Sequence, residues 1–521
     1  MPDDRTENIA AHTPASDVAR VAGRGGLAVA FAKIYFIVTG LVQQIALPRF
    51  LGLDGYGALG TALSITSVTY NPVIGTSIQG VSRAVAQAPG NERAALRRTF
   101  VIHVALSTLL AAAFFALAPR LAVLIGAPHV SGALRILSAV IFVYGMYTPL
   151  VGALNGTRRF VHQAGLDIAA ATLRTAGLVA GAYALSKAQG SRLAGVEGAS
   201  WGFVAGALLV FLAALSIVGV GRSGPGGPSL GRHFAFIAPL FVGQVLLNFL
   251  LQADITLLRA FAAEAATHAG LSPMAADPYV GAYRATQLFS FLPYQLLIAV
   301  TFVLFPMLAS AGKSRDRANV REYVATGLRL ALVIAGAMVS VTSGLSEPLI
   351  RLVFGAEAAA HGARALSLLA IGFGAFAIFG ILTTVLNSLG GELAATLVTL
   401  AAAIFVASSC FLFVRGTPLS DELLFRTAAA TSAGIGLATI LASVLVHRAA
   451  GGLVPLRVVV RVALAVLVAT VLGRFLPDVP KLFVPALALL VAAVYAVMLV
   501  VTRELGASDL ALVKRVVRRS A

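Results

Sequence analysis

The stretch Asp54–Arg98, DGYGALGTALSITSVTYNPVIGTSIQGVSRAVAQAPGNERAALRR, decides the fold. It reads as a long membrane helix opened by a turn at Gly55-Tyr56-Gly57, interrupted midway at Asn71-Pro72 and closed by a basic loop carrying Arg93, Arg97 and Arg98. A weakened copy follows at a fixed offset of 224 residues, in which Asp277-Pro-Tyr-Val-Gly-Ala-Tyr opens the helix, Pro293 interrupts it, and Lys313, Arg315, Arg317 and Arg321 close it. Gly57 then falls on Gly281, Ala58 on Ala282, Arg93 on Arg317, Ala94 on Ala318 and Arg97 on Arg321 without a gap. The chain reads as a duplication.

Composition says what surrounds it. Of 521 residues, 59% are hydrophobic and 12% charged, far more apolar side chain than one aqueous core can hide. Apolar runs of about 20 residues recur along nearly the whole chain, about fourteen in all, each long enough to cross about 30 Å of hydrocarbon as a helix. The fold class expected is therefore an all-α polytopic membrane protein. The one cysteine, Cys410, lies inside such a run, so there is no disulfide framework.

The net charge of +18 is spread over short loops and not gathered into a patch, which argues against nucleic acid as a partner. With a cytoplasmic N-terminus, one set of loops holds Arg93, Arg97, Arg98, Arg158, Arg159, Arg222, Arg232, Lys313, Arg315, Arg317, Arg321, Arg448 and Arg457, and the tail adds Lys514, Arg515, Arg518 and Arg519. The opposite loops hold Arg49, Arg120, Lys187, Arg192, Arg259, Arg351, Arg415, Arg474 and Lys481, roughly half as many, the asymmetry of the positive-inside rule. Both termini are expected in the cytoplasm, with attraction to anionic membrane lipids as a secondary consequence.

In order, a polar tail over 1–24 is expected to be disordered and no cleaved signal peptide is expected. An N-lobe of six helices over 25–221 follows, then a Gly-rich flexible cytoplasmic linker at 222–232, a C-lobe of six helices over 233–448, two further helices within 449–503 and a basic cytoplasmic tail at 504–521. Further matches, Arg49 on Arg259 and Arg135 on Arg364, fall in the same order in both halves. Six helices is an even number, so both lobes insert in the same direction, related by an axis along the membrane normal. Two lobes facing across a central cleft are expected.

The patterns LPRFLGLDGYGALG at 47–60, Gly80-Val-Ser-Arg83 and VGAY to FPMLAS across 280–310 resemble the polysaccharide-flippase branch of the multidrug/oligosaccharidyl-lipid/polysaccharide exporter superfamily. The resemblance implies a fourteen-helix, two-lobed transporter in the bacterial cytoplasmic (inner) membrane, turning a lipid-linked saccharide between leaflets by alternating access. It implies an undecaprenyl-pyrophosphate-linked oligosaccharide as substrate, such as an O-antigen or exopolysaccharide repeat unit, with a polymerase or glycosyltransferases as partners. Lipid II, the peptidoglycan precursor, and a cation-coupled drug or metabolite exchange remain alternatives, as does a nontransporting scaffold.

Polar groups inside apolar spans are costly, so those present mark a cavity or pair with one another. Lys33 and Gln44 share one face of the first helix, and Ser64, Ser67, Asn71, Gln79 and Arg83 stripe the second. Gln244, Asn248 and Gln252 stand four apart on the seventh helix, with Asp254 beyond, and Arg284 and Gln287 on the eighth. Lys33, Gln44, Asn71, Arg83, Gln244, Asn248 and Arg284 are the candidate cleft residues, with Lys33, Arg83 and Arg284 attracting a pyrophosphate. Asp254 and Arg284 reach similar depth on consecutive helices and Asp167 and Arg174 stand seven apart on one face, so each couple is a candidate ion pair, and Asp254, Asp167 and Arg174 are equally candidates for ion coupling. Pro72 and Pro293, at equivalent places, are candidate hinges as readily as static kinks. Tyr144, Tyr147 and Thr148 are read as packing or as a platform for sugars. No phosphate-binding GxxxxGK[ST], no HExxH and no Cys/His cluster occurs, so no cofactor, metal or catalytic site is expected, and the short loops leave little room for an enzyme active site.

Overall fold

The structure is a computed structural model that describes residues 15–224, 227–297, 317–477 and 479–506. Among the described residues twelve helices are long and apolar enough to cross a membrane. Helix α1 spans Ala15–Ala86 and contains the first two crossings. It is followed by α2 (Glu92–Leu124), α3 (Ser131–Gly156), α4 (Phe160–Gln189) and α5 (Arg192–Val218), which complete a six-helix lobe. The second lobe comprises α6 (Leu230–His268), α7 (Asp277–Ser290), α8 (Arg317–Gly344), a nine-residue helix α9 (Ser346–Phe354), α10 (Ala356–Ser388), α11 (Glu392–Phe413) and α12 (Asp421–Ala450). Helices α13 (Leu456–Arg474) and α14 (Val484–Val501) stand last.

The apolar interior falls into three clusters. One gathers Leu59, Leu137, Ile141 and Phe203 from α1, α3 and α5, a second gathers Leu258, Tyr283, Phe376 and Leu423 from α6, α7, α10 and α12, and a third joins Val462 and Tyr495 of α13 and α14 to Leu345. The last two helices are fastened to α8 by the Tyr495 hydroxyl, which donates to the Val333 carbonyl at 2.9 Å, and by close backbone approach of Gly344 and Gly473. Large apolar side chains such as Phe31, Leu109, Leu412 and Leu467 remain exposed around the outside, as lipid-facing surface requires.

Four sequence expectations change. The first two crossings are separated at Gly52, whose φ of 66° and ψ of −178° only glycine adopts at low cost, and not at Gly55-Tyr56-Gly57, which stays helical. Residues 15–24, expected to be disordered, are helical in α1, and residues 1–14 lie outside the described set. The Gly-rich linker lies along the start of α2, with the Arg222 N–H donating to the Arg93 carbonyl at 3.2 Å and Gly227 against Ala95. The two equivalent prolines behave differently. Around Pro72 the helix runs on, since Gly52 is the one residue of α1 with non-helical dihedrals. On the other side α7 ends at Ser290, and helix resumes over 292–297 with Pro293 in its first turn, where a missing N–H costs nothing. The rest of that expected helix, with Lys313 and Arg315, and the basic residues of the C-terminal tail lie outside the described residues.

Candidate functional site at the seam between the lobes

The second arm of α1 faces α6 and α7 along its length. Near Gly52, Gly57 and Gly281 meet backbone to backbone. A Cβ on Gly57 would lie 2.0 Å from the Asp277 carbonyl oxygen, and one on Gly281 would lie 2.1 Å from the Leu53 carbonyl oxygen. Asp277 and Leu53 stand at the same 224-residue offset as the two glycines, so the contact is reciprocal. Equivalent residues of two related lobes touch one another only at the axis between them, which places the pseudo-two-fold here. One turn on, the equivalent residues Gly60 and Arg284 also meet, the Cβ position of Gly60 lying 3.6 Å from Arg284 Cγ. The first repeat leaves out a side chain where the second inserts a guanidinium.

That guanidinium heads a polar chain. Arg284 Nη1 donates to Ser64 Oγ across the seam and to Gln287 Oε1, both at 3.3 Å. Gln287 Nε2 donates to both oxygens of Asp254 at 3.1 and 3.2 Å, and the Tyr283 hydroxyl and the Ile255 N–H complete that carboxylate's shell at 2.9 and 2.8 Å. Asp254 is 1% exposed. The direct Asp254–Arg284 ion pair expected from the sequence is therefore not formed. Gln287 stands between the two, and Arg284 turns toward α1 into the room at Gly60. Nearby, Gln44 accepts from the Tyr56 hydroxyl within α1.

Midway along the seam Asn71 Nδ2 donates to Asn248 Oδ1 at 2.8 Å, joining the lobes, and Asn248 Nδ2 donates to the Gln244 carbonyl at 2.8 Å. The Gln244 side chain lies over Gly75, 3.2 Å from its Cβ position. Asn71, Gln244 and Asn248 are thus brought together, as members of a closed contact. The Gln252 Oε1 is buried without a hydrogen-bond partner among the described residues.

Each end of the seam carries a cluster that the sequence reading missed. At the Gly52 end, Asp277 lies between His129, from the turn before α3, and Arg259 of α6, with Nε2–Oδ2 at 2.9 Å and Nε–Oδ1 at 3.3 Å. These are charge contacts without good hydrogen-bond alignment, and Arg259 Nη2 also donates to the Pro273 carbonyl at 3.1 Å. Arg259, placed in a loop by the sequence reading, is 0% exposed inside α6. At the other end, Ser77 Oγ lies 2.9 Å from His103 Nδ1, and His103 Nε2 lies 3.2 Å from His233 Nε2, a buried relay from α1 through α2 to α6. Gly80 beside it fits under Ile237, 2.7 Å from the Cβ position. No sequence pattern joins His103 to His233, which are 130 residues apart.

The remaining candidates lie off the seam's centre. Lys33 pairs with Asp167 at 3.7 Å, so the expected Asp167–Arg174 pair gives way to a link between α1 and α4. Arg174 instead lies over the Phe203 ring at 4.8 Å. Arg83 is exposed, over the Phe236 ring of the second lobe at 4.1 Å. Tyr144, Tyr147 and Thr148 are buried, the two tyrosines packed with Tyr70 and Phe203, so this is core packing. Of the three expected anion-attracting cations, Arg284 alone lies in the seam with neutral direct partners. Among the described residues no group of three or more His, Cys, Asp or Glu is placed to hold a metal ion.

Residues 46–263 match a family described as polysaccharide biosynthesis protein. No curated protein matches the sequence. The fold is similar to that of a lipid II flippase, MurJ, in an inward closed conformation, with a TM-score of 0.72 at 13% identity over 91% of this chain and 99% of that one. It is also similar to an inward-facing multidrug resistance MATE family transporter, with a TM-score of 0.63 at 15% identity over 80% and 94%. A transporter from Pyrococcus furiosus, described as having a binding pocket of reverse polarity, aligns with a TM-score of 0.59 at 14% identity over 82% and 95%.

Proposed function

We propose that this chain, whose residues 46–263 match a polysaccharide biosynthesis family and whose fold is similar to those of MurJ and MATE transporters, is a flippase that carries an undecaprenyl-pyrophosphate-linked oligosaccharide across the bacterial inner membrane. The seam supports this reading. Two lobes in lipid need no polar groups to adhere, yet these are joined by amides, a hydroxyl and a guanidinium. The neutral Asn71–Asn248 bond contributes about 0.5–1.5 kcal/mol and the guanidinium–hydroxyl bond about 1.5–3 kcal/mol, so the contact can be exchanged for contacts to a polar headgroup.

Arg284 carries the proposal. Its guanidinium, held by Ser64 and Gln287 beside the pseudo-two-fold, has no direct carboxylate partner among the described residues, and opening the seam frees its donors for a pyrophosphate. Asn71, Gln244, Asn248 and Gln44 supply amide groups for sugar hydroxyls on the same opening. The termini are placed in the cytoplasm on the arginine asymmetry of the loops.

The test is transport of a fluorescent polyprenyl-pyrophosphate oligosaccharide in proteoliposomes, with lipid II as a parallel donor. Arg284→Gln, which keeps a hydrogen-bonding side chain and removes the charge, is expected to lower transport at least tenfold while the protein inserts and melts as wild type. Undiminished transport by that variant ends the assignment of Arg284, and transport of lipid II in preference to the oligosaccharide ends the substrate reading.

A further inference from the structure

A second basic site lies away from the seam, where α8, the start of α13 and the chain after α14 converge. A cavity of about 290 Å³ opens there, lined by the side chains of Arg329, Arg457, Arg461, Arg503 and Glu504. One carboxylate stands among four arginines and pairs with two of them. Glu504, buried, accepts from Arg329 Nε at 2.7 Å and from Arg461 Nη1 at 3.4 Å, and Arg461 Nη1 also donates to the Arg503 carbonyl at 3.2 Å. The guanidinium groups of Arg457 and Arg503 have no ion pair among the described residues.

Local structure fixes this arrangement. The Glu504 N–H reaches the Leu499 carbonyl at 2.8 Å and the Arg503 N–H the Val500 carbonyl at 2.9 Å, the two bonds that close a helix through a left-handed residue, here Arg503 with φ of 58°. That closure turns Glu504 back under the bundle and leaves Arg503 at the rim. The ends of α13 and α14 meet here, so the site lies at the membrane surface and not at its centre. From it an exposed apolar stripe, Leu456, Val460, Leu464 and Leu467, runs along α13 into the hydrocarbon.

A cluster of arginines above an apolar stripe has the chemistry of a phosphate group attached to acyl chains. Arg offers forked donors that match phosphate oxygens, and basic pockets between membrane helices at the headgroup level take anionic lipid heads. We propose that this cavity is a binding site for the phosphate headgroup of an anionic membrane lipid, held by Arg457 and Arg503 and seated on the Arg329–Glu504–Arg461 base. The inference is independent of the transported substrate. It concerns how α13 and α14, which belong to neither repeat, are fixed to the second lobe and to the bilayer.

The test is native mass spectrometry of the full-length protein released from nanodiscs containing a zwitterionic lipid and one-fifth phosphatidylglycerol. The wild type is expected to retain one phosphatidylglycerol in preference to the zwitterionic lipid, and Arg457→Gln/Arg503→Gln to lose that retention at least tenfold with an unchanged melting temperature. If the double variant is misfolded, Arg457→Gln alone carries the test, since Arg457 is exposed and bonded to nothing described. A parallel arm adds millimolar inorganic phosphate, which is expected to leave the lipid in place. Equal retention by wild type and variant, or displacement of the lipid by inorganic phosphate, overturns the proposal, the second outcome identifying a free-anion site.

Discussion

The two repeats meet at their own equivalents, yet they do not contribute equally. On the first side Gly57 and Gly60 expose bare backbone, and α1 runs through Pro72 with its helical dihedrals intact. On the second, Gly281 keeps the backbone contact, Arg284 fills the space over Gly60, and helix stops at Ser290 before resuming ahead of Pro293. One repeat presents an uninterrupted helix to the seam, and the other carries the guanidinium and a one-residue interruption of the helix at Phe291. A similar inequality separates Arg49, exposed, from its counterpart Arg259, enclosed beside Asp277.

Breaking the enclosed charge is expected to have the largest effect. Arg259→Ala leaves Asp277 buried beside His129 without its guanidinium, and removing one member of a buried pair costs about 3–5 kcal/mol. A fall in melting temperature larger than for any other seam variant is expected, whereas Arg49→Ala on the first repeat should leave it unchanged. Next comes the glycine crossing. Gly57→Leu drives a Cβ against the Asp277 carbonyl, with an over-packing cost of about 1–3 kcal/mol, and should weaken the closed seam as read by increased labelling of cysteines placed at Asn71 or Asn248. The smallest effect is expected from Asn71→Ala, which removes one neutral hydrogen bond, about 0.5–1.5 kcal/mol. Thermal denaturation in detergent orders the three, and a cost for Asn71→Ala equal to that for Arg259→Ala would remove the distinction between ends and centre.

Much of this was legible before any coordinates. The spans follow from apolar run length, and the 224-residue offset brought together Gly57 with Gly281 and, unremarked, Gly60 with Arg284. The contacts between lobes were less legible. Depth along a helix follows from rise per residue, which put Asp254 and Arg284 at one level. Azimuth does not follow, and Arg284 turns toward Ser64 while Tyr283 and Gln287 take Asp254. Lys33 found Asp167 on another helix because residues seven apart on α4 compete with neighbours that sequence spacing cannot see. His103, His233 and His129 escaped notice for the same reason, each being unremarkable alone, and Asp277 was read as a helix start and not as a charge partner. Gly52 was hidden by the richer glycine pattern just beyond it, since a positive φ has no signature other than the residue type.

The central claim is that the seam must part for transport to occur. Cysteines at Asn71 and Asn248, in a background with the buried native Cys410 replaced by Ala, bring two thiols to positions whose present side chains touch at 2.8 Å. Joined by a short, reducible bifunctional reagent, they are expected to halt transport of the lipid-linked oligosaccharide in proteoliposomes, with recovery on reduction. Wild-type transport rates in fully cross-linked protein would contradict the claim.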